Sequence, residues 1–192
     1  MNAAWRRLRA RLRRFRLVED GVAAVEFALV LPIMLLLYIG SVEASVLISL
    51  DRKLQSVAGS LGDLVARWDT TIPSGTLDDY FQAAAGIMTP HSTEGLLQVV
   101  TQVQVDEDGT ATVVWSRQYL NGTVSVGTEH LEDAPFELPP AMEAVALDNF
   151  VIVAESSYTH LPLYGVAFQE PIQLYRENFF MPRFGGSITI GP

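Results

Sequence analysis

The feature that most constrains this chain is the stretch VAAVEFALVLPIMLLLYIGSVEASVLISL, residues 22–50. Only Glu26 and Glu43 interrupt it, and the interval from Phe27 to Val42 carries no charge. A bilayer core of about 30 Å needs about 20 helical residues. A helix over 22–50 is therefore long enough to cross once, provided that a glutamate lies near an interface or is neutralised. The alternative is a cleaved secretory signal, with Gly40-Ser41-Val42-Glu43-Ala44 as its processing site. The apolar pattern continues past that point, which favours an anchor that stays. Pro32 removes one helical hydrogen bond and kinks the helix, which membrane helices tolerate where neighbours satisfy the freed carbonyl.

The charge distribution orients the anchor. Arg6, Arg7, Arg9, Arg11, Arg13, Arg14 and Arg16 precede it with no acid among them, and only Arg52 and Lys53 follow it closely. Cytoplasmic flanks carry the positive excess, so the arginines act as a topology determinant. The expected organisation is a basic cytoplasmic leader over 1–21, a transmembrane helix over 22–50 and an outer domain over 51–192. In a Gram-negative cell this is a single-pass inner-membrane protein with a periplasmic domain. Beyond residue 16 the chain holds six basic residues and all 22 acids, a net of −16. Such a body is repelled by phosphate, and no nucleic-acid partner is expected. There is no cysteine, which removes disulfides, thiolate nucleophiles and cysteine metal sites together.

The outer region reads as one small domain, since about 140 residues can bury one core. Leu54, Val57, Ala58, Leu61, Leu64, Val65 and Trp68 recur on a helical period and predict an amphipathic stem that Thr71–Gly75 ends. A second helix is expected over 78–88, with Leu77, Phe81, Ala84, Ala85 and Met88 inward and Pro90 as its stop. Leu96–Val105 and Ala111–Tyr119 predict a hairpin across Asp106-Glu107-Asp108-Gly109, because Asp-Gly supplies positive φ cheaply. Val99, Thr101, Val103 and Val105 alternate with polar residues from Gln102 onward, as in a strand. Asn121-Gly122 marks another turn, 138–147 a short helix and 150–158 a strong strand; Gln173–Tyr175 and Ser187–Ile190 suit short edges. The predicted fold class is α+β, a long N-terminal transmembrane helix followed by a small domain whose antiparallel sheet packs on that helix.

Signals for catalysis are sparse. His91, His130 and His160 are scattered, and no zinc-protease, nucleophile-elbow, phosphate-loop or dinucleotide pattern occurs. Surface or satisfied roles suit the histidines better than catalysis. Asp106, Glu107 and Asp108 invite a calcium reading, but Gly109 arrives too early for an EF-hand loop and the distal glutamate is missing. Asn121-Gly122-Thr123 fits a glycosylation sequon, although a turn is the better reading. No catalytic residue, cofactor, metal site or small-molecule substrate is expected. The late aromatics Tyr158, Tyr164, Phe168, Tyr175, Phe179, Phe180 and Phe184 read first as packing over the sheet and second as a docking surface.

Glu26 is the informative residue of the apolar run. A carboxylate inside a bilayer costs several kcal/mol and is a functional hypothesis by default; one turn nearer the basic flank, the cost is small. On spacing alone the two readings weigh equally. The string Gly21-Val22-Ala23-Ala24-Val25-Glu26-Phe27-Ala28-Leu29-Val30-Leu31-Pro32 resembles the N-terminal signature of type IV pilin-like proteins, most closely the TadE-like family of tight-adherence (Flp) pilus systems. Val151–Leu163 and the tail Phe180-Met181-Pro182-Arg183 are similar to the family's late strand and closing element.

The resemblance implies cleavage by a prepilin peptidase between Gly21 and Val22, with Glu26 as the fifth mature residue and Phe27 as the next. Glu19 and Asp20 stand where a basic residue is common. It also implies a subunit register in which Glu26 meets the new terminal amine of a neighbour. A paired carboxylate in low dielectric costs far less than an unpaired one, so one stagger is favoured over all others. The expected role is a TadE-like minor pilin or pseudopilin, a structural or assembly component and not an enzyme. Its partners would be the membrane, other pilin-like subunits, pilus assembly proteins and the peptidase. An unprocessed membrane-anchored envelope binding protein is the second expectation, and a membrane-anchored hydrolase with an unrecognised site is the third.

Overall fold

Apolar residues three and four apart draw the second half of a very long helix onto a sheet, and the domain is organised around that contact. The computed structural model describes residues 20–162, 165 and 168–192. The seven arginines at positions 6 to 16, Glu19 and Tyr164 lie outside the described residues. Helix α1 (Asp20–Ala66) runs unbroken through Pro32. At about 1.5 Å per residue its 47 residues extend about 70 Å, more than twice a bilayer core.

The rest of the chain forms β1 (Thr71–Pro73), α2 (Ser74–Gly86), β2 (Leu97–Val105), β3 (Ala111–Leu120), β4 (Thr123–Val126), α3 (Pro140–Val145), β5 (Asn149–His160), β6 (Ile172–Phe180) and β7 (Thr189–Gly191). The main sheet has the order β4-β3-β2-β5-β6 and every pairing in it is antiparallel. The α+β reading holds, with the sheet packed on the long helix. The hairpin turn at Gly109 (φ 83°) and the tight turn at Asn121 (φ 50°) and Gly122 (φ 86°) adopt the left-handed backbone that those residues favour.

Two apolar layers cover the sheet. On one face, Leu50, Leu54, Val57, Leu61 and Val65 of α1 join Leu77, Phe81 and Met88 over Val100, Trp115, Ile152 and Ala154. Burying each large side chain contributes roughly 1.5–3 kcal/mol. Polar contacts fix the register of helix on sheet: the Ser156 hydroxyl donates to the Leu54 carbonyl (2.9 Å), and Arg176 pairs with Asp51 (2.6 Å). On the other face, the strap from Gly127 to Leu147 crosses the sheet and closes a second core of Val103, Val105, Ala111, Leu138, Ala146, Val151 and Val153.

The structure differs from the sequence expectation in four places. The alternation of β2 does not divide core from solvent: it is the central strand, layered on both faces, and Gln98, Thr101 and Gln102 are buried with its valines. Thr71–Pro73, read as a helix terminator, is a strand paired in parallel with β7. β7 therefore belongs to a separate two-stranded sheet and is not an edge of the main one. Strand β6, expected as a three-residue edge, pairs along its whole length with β5, from Ile152↔Phe180 to His160↔Ile172.

The tail explains these differences. Arg183 donates its backbone N–H to the Ala66 carbonyl (2.9 Å), which closes an otherwise open helix end, and its side chain reaches Asp63 (2.8 Å). Gln102 then grips the tail twice, donating to Ser187 Oγ (2.7 Å) and accepting from the Ile188 N–H (2.8 Å), while the Trp115 indole donates to the Ile188 carbonyl (2.6 Å). The aromatics divide accordingly: Phe179 joins the second core and Phe180 the first, while Tyr175 and Phe184 remain exposed.

Candidate functional site

Two places concentrate chemistry: the bare first half of α1 and a polar cluster on the strap side of the sheet. Along α1 every residue from Gly21 to Tyr38 is exposed, including Phe27 at 62% and Leu37 at 70%. Burial begins further on, with Glu43 and Leu50 inside the domain. Water would penalise so continuous an apolar surface, whereas lipid or a neighbouring apolar helix would accept it. Gly21–Val42 spans about 33 Å at ~1.5 Å per residue, the thickness of a bilayer core.

Of the residues that the resemblance and the apolar run single out, Gly21, Val22, Glu26, Phe27 and Pro32 fall on this rod, while the arginines lie outside the described residues. Gly21 and Val22 occupy its first turn, and nothing lies within 4 Å of a side chain built at Gly21. Val22 and Glu26 are four residues apart and so share a helix face. Glu26, Phe27 and Pro32 are exposed. Helical spacing thus pairs Val22 with Glu26, while Gly21 and Phe27 project from other faces of the same helix.

The second place was not legible as a site. His130, on the strap, approaches Glu155 of β5 at 2.7 Å (Nε2 to Oε2). The other oxygen of Glu155 accepts the Tyr175 hydroxyl at 2.5 Å, and that hydroxyl also lies 3.0 Å from Glu177. Glu155 is 5% exposed, so these partners are what make its burial tolerable. The hydrogen bond to Glu155 holds the His130 imidazole above its ordinary pKa, against a partial burial that pulls the other way. Burial first, and then the two carboxylates, push the Tyr175 phenol well above its usual range. The signal was available: Glu155 is the one acid in the otherwise apolar and small run Val151–Ser157, and a buried strand glutamate needs a partner. Its partner on a distant strap was not readable without the topology.

The other histidines do not join this cluster. His91 and His160 line a separate groove with Val46, Leu50 and Tyr158. Asp106, Glu107 and Asp108 sit at the exposed hairpin tip, and the Asn121 side chain accepts the Gly95 N–H (3.0 Å).

A helix whose uncovered first half is long and apolar enough to cross a membrane once, with an α+β domain wrapped on its second half, suggests a single-pass membrane anchor. Residues 21–60 match the family described as TadE-like protein, the family that the N-terminal string resembles. The match covers the exposed rod and the first turns that pack on the sheet, and it supports a protein associated with the Tad pilus. Neither a curated protein nor a solved structure matches the chain.

Proposed function

We propose that the protein is a TadE-like minor pilin or pseudopilin, held in the inner membrane by α1 with its domain in the periplasm. It serves as a structural or assembly component of a tight-adherence pilus. One observation carries this reading: the helix that builds the domain core projects a bare apolar rod whose only charge between Gly21 and Val42 is Glu26. The domain begins to bury α1 at Glu43, and on this reading the uncovered stretch 21–42 is the part that lies in the bilayer. Glu26 then sits within the first two turns of the span. A carboxylate there is costly alone and much less so opposite a cation, and cleavage after Gly21 would create such a cation on Val22 of each subunit.

Mass spectrometry of the protein from cells with an active peptidase tests the processing step. The expected mature chain begins at Val22; an intact chain beginning at Met1 would instead favour an unprocessed envelope anchor. Crosslinking between subunits tests the register: Glu26→Gln should reduce complex formation with sibling subunits while leaving insertion and domain folding unchanged.

A further inference from the structure

We propose that Glu129, His130 and Glu155 form a binding site for one zinc-like divalent transition-metal ion, which fastens the strap to the sheet. The imidazole nitrogen and one carboxylate oxygen from each glutamate lie within 4.8 Å of one another. Zinc accepts this set of one nitrogen and two oxygen donors at about 2.0–2.2 Å and leaves a fourth position to water. Tetrahedral ligands at those bond lengths are roughly 3.4 Å apart, so His130 and Glu155, now 2.7 Å apart, must separate by less than about 1 Å. Glu129 is exposed and can swing in without disturbing the core.

Two further observations point to a cation. Glu155 and Glu177 stand directly opposite each other in the β5–β6 register, an arrangement of like charges that destabilises a sheet. Both address one Tyr175 hydroxyl, which has a single hydrogen to give. Three carboxylates thus face one imidazole and one phenol, and a divalent ion would relieve the excess. The surroundings are also those of a metal ligand. Tyr175 holds Oε1 of Glu155 and leaves Oε2 turned toward His130, and the Phe136 ring packs on the imidazole at 4.9 Å between centroids. Partners of this kind orient ligands and tune their basicity. The nitrogen donor selects zinc-like ions over calcium or magnesium, which prefer all-oxygen sets.

The test uses the full chain in detergent micelles, stripped with a chelator and titrated calorimetrically with zinc, calcium and magnesium chlorides. The expected result is one saturable zinc site and a zinc-dependent rise in Tm. Glu129→Gln, at an exposed position, should weaken zinc binding roughly tenfold or more. His130→Gln, which can still hydrogen-bond Glu155, should abolish it, and His91→Gln and His160→Gln should leave it unchanged. The proposal is overturned if the wild-type chain shows no saturable zinc binding, if Glu129→Gln and His130→Gln bind as the wild type does, or if calcium binds as tightly as zinc.

Discussion

Gly62 shows how little room the helix–sheet contact leaves. A Cβ built there would lie 2.4 Å from the Phe180 ring and 2.9 Å from the Ala154 methyl. Gly62→Ala, a change that favours an isolated helix, should therefore destabilise this protein by about 1–3 kcal/mol, because the packed residues must shift. Urea denaturation of the two forms measures the difference. One residue on, Asp63 receives Arg67 and Arg183, and these bonds, that of Arg67 first, hold its carboxyl below the usual aspartate value despite some opposing burial. A depressed folded pKa means that the stabilisation is fully present above the unfolded value of about 3.9. It disappears as pH falls through the lower folded value. The Asp63 carboxyl, followed by NMR, should titrate below pH 3.9, and Asp63→Asn should reduce stability at neutral pH but not below the folded pKa.

At the level of elements, what was legible depended on whether a pattern is local. The face of α1 beyond residue 50, the inward set Leu77, Phe81, Ala84, Ala85 and Met88, and the Asp-Gly hairpin could be read because spacing and turn chemistry fix them within a few residues. The burial of Gln98 and Gln102 could not. A glutamine in a strand signals solvent unless a remote segment supplies its partners, and here Phe81, Ser187 and Ile188 do so. The His130–Glu155 contact has the same origin. Gly21, Val22, Glu26 and Phe27, by contrast, were singled out by a resemblance carried in one contiguous string, and the structure places that string on one helix. The tail's role yields a prediction: deleting residues 183–192 removes the hydrogen bonds that Gln102 and Trp115 make to it, at about 0.5–1.5 kcal/mol each, together with the buried Ile188 side chain, and opens the end of α1. The truncated chain should unfold at clearly lower denaturant with its far-UV helix signal largely kept. Leu61→Ala, inside the α1 face, should cost about 2–5 kcal/mol in the same assay.

Taken whole, the molecule divides at one point along one helix. The residues from Gly21 to Tyr38 contribute nothing to either core, so a chain beginning at Ile39 should fold without detergent. Its unfolding midpoint should match that of the domain in the full chain, checked by circular dichroism and size-exclusion chromatography. Yet no loop separates the two parts, because α1 passes from one to the other without a break. Such a shaft gives the head no slack: a turn or tilt imposed on its bare half swings the sheet and strap through the same angle. The softest joint along the bare half is Pro32, where the backbone lacks one rung of its ladder. Mechanical load on the head would therefore be felt as bending at Pro32, which lies within the bilayer if α1 is the proposed anchor, and scarcely at all as deformation of the domain.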